Sequence, residues 1–200
     1  MDQEKVWDKI APLWHEHKTE SFGDKDNLVE KFVEDNDKVL DLGCGSGRNF
    51  INKGEWYGVD FSKEMLKFAR KKNYIELKKA NVWDTEFKSE FFDKIICITT
   101  LHCIESKEKR QKTFGEIYRI LKPKGKLIIT VWNKNSKRWK NKPKEKFVGW
   151  NLNDTHEEKV LRYYYLYDFD ELKNELENAG FKIFKHNNID ARNLVLIVEK

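Results

Sequence analysis

The stretch VLDLGCGSGRNF, residues 39–50, places Asp41 just ahead of three glycines on alternate positions, Gly43, Gly45 and Gly47. Val39 and Leu40 run into that aspartate and Leu42 follows it, so the glycines fall where a buried strand hands over to the next element. Glycine has no Cβ and accepts positive φ, which lets the backbone turn sharply and come close to a bound molecule. Nineteen residues after Asp41, the apolar stretch EWYGVD ends in Asp60. A carboxylate at that place can accept two hydrogen bonds from ribose hydroxyls. These residue types therefore suit binding of an unphosphorylated ribose against a glycine turn. The plain alternative for either aspartate is a helix N-cap or a loop carboxylate. A dinucleotide fingerprint would need a third glycine at position 48, which is Arg48, and no phosphate-binding G-x-x-x-x-G-K-[ST] occurs.

The elements that must hold these residues alternate along the chain. An amphipathic helix is expected over 3–17 despite Pro12, with a second over 26–34. Strands follow at 38–43, 55–60, 75–82, 92–99 and 126–133, with helices at about 46–53, 62–72 and 107–121. Alternation of this kind implies right-handed crossovers and a mostly parallel sheet. The end of the chain departs from it. A helix at 168–179, stopped by Gly180, leads into strands at 181–187 and 193–200 joined by only NIDAR, too short for a parallel crossover. The expected fold is a Rossmann-like, three-layer α/β/α domain over 1–200, with a seven-stranded mostly parallel sheet and an antiparallel last strand. Residues 1–35 form an N-terminal helical cap in this reading, and 134–167 a basic insertion or lid.

Composition sets further bounds. A chain of 200 residues, 39% hydrophobic, supports one core. No apolar run is long enough for a membrane span or a signal peptide, which points to a soluble, cytoplasmic protein without membrane contact. Cys44, Cys97 and Cys103 form no CxxC pair, so reduced thiols and no metal are expected. The net charge of +5 is concentrated: KNSKRWKNKPKEK, residues 134–146, carries seven Lys or Arg against Glu145. Such a segment is the footprint of a polyanion partner or a solvated loop, and Trp139 inside it could stack on a base.

Three motifs in order, VLDLGCGSGRNF, YGVDFS and FGEIYRILKPKGKLIITVW, resemble those of class I S-adenosylmethionine-dependent methyltransferases. The resemblance covers about 36–133 closely and the rest by topology. It implies S-adenosyl-L-methionine as cofactor. Gly43, Cys44, Gly45 and Gly47 would form the turn against its methionine portion, with Asp41 near the ammonium and Thr99 beneath. Asp60 would bind the ribose, Phe61 would lie beside the adenine, and Asn81 with Val82 would meet the adenine edge. The family usually has an aspartate where this chain has Asn81; an amide oxygen can accept the same bond, and Asp84 is a second candidate.

A closer resemblance concerns the methyl acceptor. VWDKIAPLWHEHKTESF, LHCIESKEKRQKTFGEIYRIL, VWN and RYYYLYDFDEL are similar to segments of the tRNA wobble-uridine methyltransferases, which esterify 5-carboxymethyluridine. That resemblance implies a tRNA substrate and a small zinc-binding activator protein paired along the third strand, where YIELKKANV offers Tyr74, Ile75 and Leu77. A carboxylate acceptor needs no base but needs cations to orient it, and His102, Arg162 and Lys18 would be those catalytic residues. The chain departs from the relatives at Lys18, where they tend to have arginine, and at His102–Cys103, where they have a histidine pair. Bland roles exist for each: a helix cap for His102, a surface ion pair with Glu157 or Glu158 for Arg162, and packing for the stripe Tyr163, Tyr165, Tyr167. The competing readings are a methyltransferase for a small-molecule acid or quinone precursor, and a non-catalytic binding module. The open glycine turn and Asp60 argue against the second.

Overall fold

The structure is a computed structural model that describes residues 2–17, 28–153 and 158–200. The helices are α1 (Gln3–His17), α2 (Leu28–Phe32), α3 (Lys63–Ala69), α4 (Lys107–Ile120) and α5 (Phe169–Asn178). The strands are β1 (Lys38–Leu42), β2 (Glu55–Asp60), β3 (Glu76–Lys79), β4 (Phe92–Ile98), β5 (Leu121–Trp132), β6 (Glu145–Asn151), β7 (Lys159–Tyr165), β8 (Lys182–His186) and β9 (Asn193–Glu199). Seven of the strands form one sheet in the order β3-β2-β1-β4-β5-β9-β8, and β6 and β7 form a separate hairpin. Strands β1 to β5 pair in parallel, and β9 enters antiparallel between β5 and β8.

Alternation of side chains across the pleat builds the layers. Leu40, Leu42, Val59, Ile95, Cys97, Leu127 and Ile129 meet Phe114 and Ile117 of α4 and Leu172 and Leu176 of α5. The residues between them, Val39, Ile96, Ile98 and Ile128, meet Val29 and Phe32 of α2 and the neighbouring Val33. A one-residue slip would exchange these faces, so burial on both sides fixes the register. Three helices start on a side-chain cap: Ser62 accepts from Met65 N, Ser106 from Lys109 N and Asp168 from Glu171 N. Helix α1 runs through Pro12, whose missing N–H removes only the bond to the Asp8 carbonyl.

Three expectations from the sequence are corrected here. No helix forms over 46–53. Gly43, Gly45 and Gly47 take φ of 77°, 54° and 78°, and the chain there is a run of turns. Strand β3 stops at Lys79, so Asn81 and Val82 lie beyond it, and Asn81 makes an isolated bridge to Asp84. The basic segment turns from Lys134 to Lys144 and only its last two residues enter β6, the partner of the tyrosine-rich β7, so the lid expected over 134–167 carries a hairpin.

Candidate cofactor site

Strand order reverses between β1 and β4, and a crevice opens beyond the carboxyl ends of these strands. The cavity there measures about 380 Å³, within the range of small-molecule sites. Gly43, Cys44, Gly45, Asp60, Phe61, Asn81, Val82 and Thr99 line it. A Cβ on Gly43 would sit 2.3 Å from Thr100 Cγ2, so close packing of the turn against β4's exit excludes any side chain. At Gly45 the same atom would meet nothing within 4 Å; its bare face opens to the cavity. Gly47 instead packs on α3, with Ala69 Cα 3.2 Å from where its Cβ would be.

Asp60 is 7% exposed. Its Oδ2 accepts from Gly45 N at 2.9 Å and its Oδ1 from Ser62 N at 2.9 Å. Each oxygen keeps a second lone pair for a ligand hydroxyl. Burial pushes its pKa up to about 6 against those two bonds. Asp41 lies beneath the turn, fully buried and behind the cavity wall; its Oδ2 accepts from the Tyr74 hydroxyl at 3.0 Å. Burial raises it to about 7, opposed by Tyr74 and the Arg48 charge. The ammonium contact expected of Asp41 is therefore not made from the cavity surface.

Thr99 follows β4 at φ 55°, left-handed backbone that a β-branched residue rarely adopts. Thr130 fixes it: the Thr99 N–H donates to Thr130 Oγ1 at 2.9 Å, and Arg48 Nη2 donates to Thr99 Oγ1 at 3.2 Å. Arg48, Lys109, Trp7, Trp14 and Trp83 also line the cavity and were not picked out as site residues from the sequence. Arg48 sits inside the glycine motif. Trp7 and Trp14, seven residues apart on α1, read as the core stripe of an amphipathic helix, and nothing in that stripe distinguishes a cavity from a core.

Neither His102 nor Arg162, both expected to orient the acceptor, lines the cavity. Lys18 lies outside the described residues. His102, 1% exposed, sits in a 3₁₀ turn, Leu101–Cys103, and stacks on Trp132 at 5.2 Å between ring centroids. Burial, then the Arg162 charge, lowers its pKa to about 3, so at neutral pH it is not a cation. Arg162 is 6% exposed among aromatic rings, neither a surface ion-pair partner nor part of the cavity lining. Trp139, 5% exposed and stacked on Trp132 at 5.0 Å, is already covered and offers no face to a base. Cys103 lines the cavity, but burial pushes its thiol up to about 12, and burial likewise raises Cys44. Neither is a thiolate nucleophile at neutral pH.

A family model described as a methyltransferase domain matches residues 40–129, from β1 into β5. The chain carries an S-adenosylmethionine-dependent methyltransferase domain. A protein of Encephalitozoon cuniculi bearing a methyltransferase name is 27% identical over 169 residues, 81% of this chain and 78% of that protein. The tRNA (carboxymethyluridine(34)-5-O)-methyltransferase of Arabidopsis thaliana is 32% identical over 133 residues, 64% of this chain; the chain spans about a third of that relative's length, 32%. Among solved structures, a Haloferax volcanii methyltransferase in complex with the Trm112 methyltransferase activator superposes with a TM-score of 0.69 at 18% identity, covering 99% of this chain and 96% of that one. S-adenosylmethionine fits what the methyltransferase domain presents: a nucleoside-sized crevice, a buried carboxylate with free lone pairs, and Gly45 bare toward the cavity. Asp60 would hold the ribose and the Gly43–Gly45 backbone would lie against the amino-acid portion. Among the described residues no cluster of three metal-ligating side chains occurs, and no helix is long and apolar enough to cross a membrane.

Proposed function

We propose that the chain transfers a methyl group from S-adenosylmethionine to the carboxylate of 5-carboxymethyluridine at the wobble position of tRNA, assisted by a small zinc-binding activator protein. The observation that carries this reading is the 32% identity to the Arabidopsis carboxymethyluridine methyltransferase. When bound, S-adenosylmethionine supplies a methyl group on a sulfonium, and a carboxylate oxygen is nucleophilic without a base. The protein's task is then to align the two, exclude water and offset the acceptor's charge. Among the described residues Arg48 and Lys109 are the cations in the cavity wall, and they take the orienting role in place of His102. Lys137, Arg138, Lys140 and Lys142 stand exposed on the basic segment and would meet RNA phosphates.

The activator finds support in the Haloferax neighbour, which is seen with Trm112. Strand β3 is the open edge of the sheet, and Ile75 beside it is exposed. Tyr74 and Leu77 are not offered there: Tyr74 bonds Asp41, and Leu77 packs in a cluster with Cys44 and Leu66. The test is incubation with labelled S-adenosylmethionine and tRNA bearing carboxymethyluridine, with and without the activator, followed by mild alkali. Label that enters the RNA and is released by base identifies a methyl ester. Absence of label, with cofactor binding intact, removes the tRNA reading in favour of a small acid.

A further inference from the structure

The geometry points to Arg162 as a positioning residue that clamps α1 over the cofactor cavity through a cage of aromatic rings. Its guanidinium carbon lies 5.9 Å from the ring centroid of Trp7, 5.7 Å from Trp14, 4.8 Å from Trp150 and 5.2 Å from Tyr164. All four distances are within the reach of cation–π attraction, which strengthens when the cation is shielded from water. Among the described residues no carboxylate lies at ion-pair distance from Arg162, and its Nε has no hydrogen-bond partner. The rings, together with the Tyr164 hydroxyl, hold this charge.

Two of those rings, Trp7 and Trp14, belong to α1 and also form part of the cavity wall, whereas Arg162 does not reach the cavity. The cation thus acts on the shape of the cofactor space through the tryptophans. A second contact brackets it. Gln3 at the start of α1 donates from Nε2 to the Leu161 carbonyl at 3.4 Å, and its Oε1 accepts from the Tyr163 N–H at 2.9 Å. The side-chain amide therefore grips β7 on both sides of Arg162. Elsewhere on α1, Asp8 accepts from Ser62 Oγ at 2.6 Å and Glu64 N at 3.2 Å, and Glu4 pairs with Lys79 at 2.7 Å. The helix is a bridge from β7 to α3 and β3, laid across the crevice. Without the cation at its β7 end, Trp7 and Trp14 lose their common anchor and the wall loosens on that side.

This role differs in its readout from a direct contact between Arg162 and the acceptor. The test uses the full chain loaded with S-adenosylhomocysteine, comparing wild type with Arg162→Met, Arg162→Lys and Gln3→Ala. Ligand dissociation is followed by a chase, and backbone hydrogen exchange reports protection of 3–17. Arg162→Met and Gln3→Ala should each speed dissociation about tenfold and deprotect α1, while β1, β4 and β5 stay protected. Arg162→Lys should fall between them and the wild type, because an ammonium still attracts the rings. Wild-type dissociation and α1 protection in Arg162→Met overturns the clamp; if its acceptor KM rises at the same time, Arg162 touches the substrate instead. Should Arg162→Met fail to fold, Gln3→Ala decides, and unchanged dissociation there also overturns the proposal.

Discussion

At the scale of single residues, Gly43 and Gly45 separate two jobs that the glycine motif joins. A methyl group on Gly43 collides with Thr100 at 2.3 Å, so Gly43→Ala should cost on the order of 2–4 kcal/mol in urea denaturation. Gly45→Ala meets no protein atom and strains only φ, so its stability loss should stay near 1 kcal/mol while affinity for S-adenosylhomocysteine drops at least tenfold in calorimetry. The two aspartates add a pH signature. Both have folded pKa values above the usual carboxylate range, Asp41 near 7 and Asp60 near 6. From about pH 4 up to about pH 6 for Asp60 and about pH 7 for Asp41 the unfolded chain has lost the proton and the folded apoprotein holds it, so apo stability falls as pH rises through that window. Thermal melts from pH 4 to 7.5 should show that slope, and Asp41→Asn should flatten it. Cofactor binding should move the other way: hydroxyls donating to Asp60 favour its ionised form, so affinity tightens from pH 5 to 7.

At the scale of elements, the parallel core was readable because buried strands announce themselves by apolar runs and turns by glycine. The glycine motif itself misled on one point. Its residues sit at a strand-to-helix position, yet positive φ recurs at Gly43, Gly45 and Gly47, and Gly47 interrupts any helix over 46–53. The hairpin of β6 and β7 was missed because neither strand alternates cleanly in burial and both begin in charged residues. Arg162 was singled out, but a linear sequence gives no sign that tryptophans from α1 and β6 surround it. The seating of α1 on α3 supplies its own prediction. Asp8→Ala removes bonds to Ser62 and Glu64 at the helix start and should cost about 1–2 kcal/mol in chemical denaturation.

At the scale of the whole molecule, charge and fold divide the work. The sheet's switch point makes the crevice, and the basic segment leading into β6 makes a positive face on the side of the hairpin. Within that segment Lys144 is committed to Asp168 and Glu171, at 2.8 and 2.9 Å, so its charge is spent internally. Lys137, Lys140 and Lys142 remain exposed. Reversing these three to glutamate should weaken tRNA binding at least tenfold and lower the salt slope of log affinity by about 2, with S-adenosylhomocysteine affinity unchanged. The sequence-level idea of a base stacked on Trp139 fails at this scale too, since Trp132 stacks on that ring and the Arg138 and Lys146 cations lie over it.

The cofactor site underlies all of these readings, and calorimetric titration of the purified chain with S-adenosylmethionine, beside Asp60→Ala, tests it most directly. One molecule bound per chain, with affinity at least thirtyfold weaker in the variant and an unchanged melting profile, is the predicted result. Equal binding by both proteins, or none by the wild type, would contradict the assignment of Asp60 and of the crevice it lines.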